Sequence, residues 1–273
     1  MTVVFSKYPL VEIVVELRWL PAQAQLAAPM PAQPGGLFQI PFWGNSKLDE
    51  FYMRLAGKLH QQGFQAVERL VPPGFSMLHQ PIYRYKKPND PSTLCQAGVG
   101  IFAVNGVPPY KSWNEFFPVV REAISALLDS RDPSEKETQF SGVSLRYIDA
   151  FTAELSGGRS AAAFLSTVLG ISVSLPRGLS QFVKEGAPPQ YALQLTLPTS
   201  ESILLTMNFA EAMVNGNPAL LMDTTASSKN GVEPNLDAVV HVLNSAHETV
   251  HGIFVDITAP IHKLMQPTEE VAK

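Results

Sequence analysis

The chain has 273 residues, 45% of them hydrophobic, with a formal net charge of -4 and a pI near 5.9. This length and apolar content suffice for a substantial core and exclude global disorder. The charge balance offers no general attraction to phosphate backbones or anionic lipid, which argues against a nucleic-acid-binding protein.

Cys95 is the only cysteine, so neither an intramolecular disulfide nor a thiolate zinc cage can form, and the residue reads as a small buried apolar group in a strand. Glu12 and Glu16 interrupt the apolar N-terminal stretch and no uncharged apolar run reaches about eighteen residues. The expectation is a cytoplasmic protein with no signal peptide and no membrane-spanning helix.

From Leu10 to Trp19, Val11, Ile13, Val15, Leu17 and Trp19 alternate with Glu12, Val14, Glu16 and Arg18, the period-two pattern of a half-buried strand. Pro21 to Gly44 carries too many prolines and glycines for regular structure and reads as a long loop. Ser46, with Asp49 three residues on, opens a helix whose apolar stripe is Leu48, Phe51, Tyr52, Leu55 and Leu59, ending at Gly63. Strands follow over Met77 to Lys86 and Leu94 to Val104, with Gly98 and Gly100 marking bulges or close backbone approach. Ser112 and Glu115 repeat the capping pattern before the stripe Trp113, Phe116, Phe117, Val120, Ile124, Leu127 and Leu128, and Pro118 predicts a late start or a bend.

Val143 to Phe151 is again extended, so the first half reads strand, helix, strand, strand, helix, strand, the order of a ferredoxin-like split β-α-β unit. A short helix over Arg159 to Leu169 opens the second half, followed by strands at Gln190 to Leu197, Ile203 to Phe209 and Ala219 to Thr225, with Asn215 to Pro218 as the turn between the last two. A final helix starts near Asn235 and runs through Leu236, Val239, Val240, Leu243, Val250 and Phe254 until Pro260 stops or kinks it. The predicted fold is α+β, an antiparallel sheet with helices mainly on one face, built from two fused ferredoxin-like lobes over residues 1–152 and 153–273.

His247, Glu248, Thr249, Val250 and His251 spell H-E-x-x-H inside that helix. Two imidazoles one turn apart can share a zinc ion, with Glu248 polarising the bound water as general base. The extended motif fails, because Phe254 and Ile257 stand where glycine and histidine are required, and the third ligand would come from Asp256, His262, Glu269 or Glu270. The competing interpretation places His247 beside the apolar stripe as a half-buried residue packed against the sheet. A second constellation joins Glu12, Glu16 and Arg18 on the first strand to Arg146 and Asp149 on another, a charge network if the two strands pair.

Three stretches together resemble a sporadically distributed bacterial family without assigned activity: Tyr8-Pro9-Leu10-Val11-Glu12 running to Glu16-Leu17-Arg18; Tyr110, Ser112, Trp113 and Phe116 with Leu145-Arg146-Tyr147-Ile148-Asp149; and His247-Glu248 followed by Phe254, Ile257 and Thr258. The first is similar to the family's "PPxVE" opening strand and the second to its "LRYIN" strand, with Asp149 in place of the family's Asn. His251 lies outside the pattern.

The resemblance and the incomplete zinc motif together lead to the expectation of a non-catalytic binding or interaction protein, an accessory or regulatory factor for an unknown protein partner encoded nearby. Exposed sheet edges add the expectation of a homodimer. Two alternatives stand beside it. One is a zinc-dependent hydrolase with His247 and His251 as ligands and Glu248 as base. The other is a small-molecule binder whose pocket, between sheet and helices, is lined by Trp19, Arg18, Arg146 and Tyr147, with Glu16 nearby.

Overall fold

The computed structural model describes residues 3–21, 46–73, 75, 77–109, 112–184 and 190–269. The proline-rich segment 22–45, Tyr110 and Glu270 lie outside the described residues. The strands are β1 (Val3–Phe5), β2 (Leu10–Arg18), β3 (Ala66–Arg69), β4 (Pro81–Lys87), β5 (Asp90–Gly98), β6 (Ile101–Gly106), β7 (Gly142–Thr152), β8 (Ala192–Pro198), β9 (Ile203–Val214), β10 (Asn217–Ser228) and β11 (Pro267–Glu269). Three long helices are α1 (Ser46–Gln61), α2 (Trp113–Ser130) and α3 (Leu236–Thr258).

Nine strands form one sheet in the order β3-β4-β5-β6-β2-β7-β10-β9-β8, and every neighbouring pair is antiparallel. The fold is therefore α+β with a large antiparallel sheet. The two ferredoxin-like lobes are not confirmed by this topology, because β7 pairs with β10 and the sheet runs unbroken across residue 152.

The alternation read in β2 is what positions everything else. Ile13, Val15 and Leu17 are fully buried and lie opposite Tyr147, Leu145 and Val143 of β7. Continuing across the register, Met222, Thr224 and Ala226 of β10 and Met207 and Leu205 of β9 share this face, which α1, α2 and α3 cover. Helix α3 turns Val239, Leu243, Ala246 and Val250 toward it at helical spacing, all buried. Burying each such aliphatic side chain stabilises the helix against the sheet by about 2 kcal/mol. Asn235 caps α3 by accepting a hydrogen bond from the Ala238 amide, and Pro260 lies just past its end.

Several expectations need correction. Leu94 to Val104 is not one strand but the hairpin β5–β6, turning at Val99 and Gly100, where Gly100 has φ +69°. Helix α2 begins at Trp113 and carries Pro118 inside it, so Pro118 does not delay the start; the Ser112 side chain makes no capping hydrogen bond. The turn before β10 needs only Asn215 and Gly216, both at positive φ, which matches the twist of a tight hairpin and leaves Asn217 and Pro218 in the strand. Regular structure continues past α3 as far as Glu269, where β11 pairs with β1. Strand β3, too short and polar to show a period, was not anticipated.

Candidate functional site

A cavity of about 430 Å³ lies between the sheet and helices α2 and α3. Its floor is Tyr147 and Asp149 of β7, Met222 and Thr224 of β10, and Met207 of β9. Its walls are Trp113 and Phe117 from the start of α2, His247, Val250, His251 and Phe254 from α3, and Phe5, Tyr8, Pro9 and Leu10 from the approach to β2. Asn114 and Glu248, both exposed, mark its mouth.

The alternation of β7 explains the floor. Val143, Leu145, Tyr147, Asp149 and Phe151 fall on one face, so the register that buries the first two also delivers a phenol and a carboxyl to the interior. A register shift in β2 between Leu10 and Glu12 sits opposite Ile148 and Asp149, a local irregularity of the ladder beside the cavity. Asp149 is 4% exposed, and among the described residues its carboxyl makes no hydrogen bond or ion pair. Burial, with a smaller contribution from the Asp223 carboxylate, pushes its pKa up to about 8, so it is protonated at neutral pH. The Thr224 hydroxyl oxygen beside it is buried without a hydrogen-bond partner.

His247 is fixed on two sides. Its ring stacks on the Trp113 indole, and its Nδ1 shares a 2.8 Å hydrogen bond with the Tyr147 hydroxyl. Burial, helped by the neighbouring His251, lowers its pKa to about 4, so the imidazole is neutral and accepts at Nδ1 when Nε2 carries the proton.

The two histidines of the H-E-x-x-H segment stack with centroids 5.5 Å apart. Among the described residues no three histidine, cysteine, aspartate or glutamate side chains gather into a set able to hold a metal ion. Of the third-ligand candidates, His262 contacts the Val255 carbonyl through Nε2 and packs on Phe5, Asp256 is exposed, and the Glu269 side chain and Glu270 lie outside the described residues. The motif therefore supplies cavity wall from His247 and His251 and a mouth carboxylate from Glu248.

The expected charge constellation does not form as one network: Glu12, Glu16, Arg18 and Arg146 lie on the opposite face of the sheet from Asp149 and bond to separate partners. Arg18 donates to Glu16 at 2.6 Å, Arg146 donates twice to the Asp223 carboxylate at 2.7 Å, and the Asn105 amide donates to Glu12 at 2.6 Å. Arg146 therefore pairs with Asp223 rather than with Asp149. Of the four residues expected to line one pocket, Tyr147 alone does so; Arg18 and Arg146 are separated from it by the sheet, and Trp19 packs with Phe51, Phe140 and the buried Arg131. Sequence reasoning singled out neither Thr224 nor Asp149 as a cavity group; for Asp149 the available signal was a carboxylate at an inward position of a strand.

Comparison with protein-family models, with curated proteins and with solved structures finds no match to this chain.

Proposed function

We propose that the protein is a non-catalytic binding protein that holds a small, largely apolar molecule in the cavity between the sheet and helices α2 and α3. The observation that carries this reading is the cavity itself, whose lining joins six aromatic rings, Phe5, Tyr8, Trp113, Phe117, Tyr147 and Phe254, to a few polar groups. Its volume falls in the range of small-molecule sites, roughly 300–1,000 Å³. Membership of the family resembled above belongs to the same proposal, because Tyr8, Trp113, Tyr147, Asp149, His247 and Phe254, drawn from all three motif stretches, converge on this one space. An accessory role beside a partner protein and a cytoplasmic location are proposed with it. Self-association as a homodimer is supported by β8, a sheet edge on which Leu197 is exposed.

The test uses the neutral fluorescent dye Nile red. Wild-type protein is expected to enhance its emission saturably, and Val250→Phe, which adds bulk to the cavity wall, to remove the enhancement while the protein still melts cooperatively. Absence of enhancement in the wild type, or full enhancement in the variant, would overturn the reading.

A further inference from the structure

We infer that the ligand of this cavity is a monocationic, otherwise apolar amine whose ammonium group pairs with Asp149 on the floor. The inference rests on the cavity being a ligand site, and goes beyond it in naming the chemistry. Asp149 is a carboxyl with no partner among the described residues, placed on the wall of an open space rather than packed into the core. Among the described residues, the lining contains two carboxyl groups, Asp149 and Glu248, and no lysine or arginine. Six aromatic rings line the same cavity, and ring faces attract a cation while tolerating its alkyl or aryl remainder.

The alternatives fit less well. An anion would meet Glu248 at the mouth and Asp149 at the floor, with no lysine or arginine between them among the described residues. A neutral ligand would bring the buried Asp149 carboxyl no opposite charge. An ammonium supplies the missing opposite charge: as it docks, Asp149 gives its proton to solvent and the resulting carboxylate accepts hydrogen bonds from the ammonium. Among the described residues, the ionisable groups lining this space are Tyr147 on the same strand, Tyr8 ahead of β2, and His247, Glu248 and His251 on α3, while the Asp223 carboxylate acts on Asp149 from the opposite face of the sheet. Ser112 and the lining residues of α2, Trp113, Asn114 and Phe117, carry no charge.

The test compares three molecules with the same indole and different charge, tryptamine, tryptophol and indole-3-propionate, by isothermal titration calorimetry on the full chain at pH 7. Tryptamine is expected to bind about tenfold or more tightly than tryptophol, with indole-3-propionate weakest. Repeating the tryptamine titration in buffers of different ionisation enthalpy is expected to show release of a proton. Its affinity should rise from pH 6.5 to pH 8.5 while that of tryptophol stays level. In the isosteric Asp149→Asn the advantage of tryptamine over tryptophol should disappear while tryptophol still binds. Tryptophol or indole-3-propionate binding as tightly as tryptamine, or a tryptamine advantage that survives Asp149→Asn, overturns the inference. A cavity that takes Nile red and refuses tryptamine also overturns it, and leaves the ligand-site reading standing.

Discussion

The imidazole of His247 lies against the indole of Trp113 with ring centroids 4.6 Å apart and planes 9° from parallel. This stack, with the hydrogen bond to Tyr147, fits a neutral ring, and the lowered pKa of His247 follows from the same burial. Because the folded pKa lies below the unfolded value of 6.5, the unfolded chain binds the proton first as pH falls, and the contribution to stability drops between about pH 6.5 and pH 4. His247→Gln is expected to be less stable than wild type at pH 7.5 and to lose less on going to pH 4.5. Thermal melts across that range check it, and equal slopes for the two proteins would contradict it.

Asp149 has the opposite sign. Its folded pKa is raised to about 8 from 3.8, so the stability it contributes is full below about pH 4 and is lost as pH rises through 8. Asp149→Asn removes that loss. It should be more stable than wild type at pH 8.5 by about 2 kcal/mol, roughly 4–8 °C in Tm, with the difference shrinking toward pH 5.

Two glycines make a matched pair. A Cβ at Gly98 would stand 1.9 Å from the Gln80 carbonyl oxygen, a backbone atom, whereas a Cβ at Gly142 would meet nothing within 4 Å. Gly98→Ala should cost more than about 3 kcal/mol or abolish folding, and Gly142→Ala should be within about 0.5 kcal/mol of wild type, as read by urea denaturation.

Arg146 and Asp223 form a two-pronged pair, but the Arg146 side chain is 45% exposed. A double-mutant cycle with alanine at both positions should return a coupling of about 0.5–1 kcal/mol that weakens in high salt. Because the sheet separates this pair from the cavity, Arg146→Ala should leave Nile red binding unchanged.

How much of this was legible depended on period. The alternation in β2, the stripe of α3 and the apolar run of β7 each repeat a spacing over many residues, and all were readable. Strand β3 offers only Ala66 to Arg69, all exposed, and no period. The β5–β6 turn was hidden because Val99, fully buried, continues the apolar character of both strands. For the site, Tyr147 and His247 could be picked out as residues, but their partners could not. Contacts between Trp113, Tyr147 and His247 join positions a hundred residues apart in some pairs, and strand order decides them rather than local spacing. The pocket forecast for Arg18 and Arg146 failed by parity: in a strand, neighbours point to opposite sides, so Arg146 and Tyr147 could never share one space.

The β7–β10 seam has a mechanical meaning. It stitches the two halves of the chain along nine paired positions, so they have no freedom to clamp or hinge about each other. Any breathing that admits a guest must come from above, through α2 and α3 shifting on a rigid bed. Since that bed and that roof each draw on both halves, an occupied cavity would make the whole molecule melt as one.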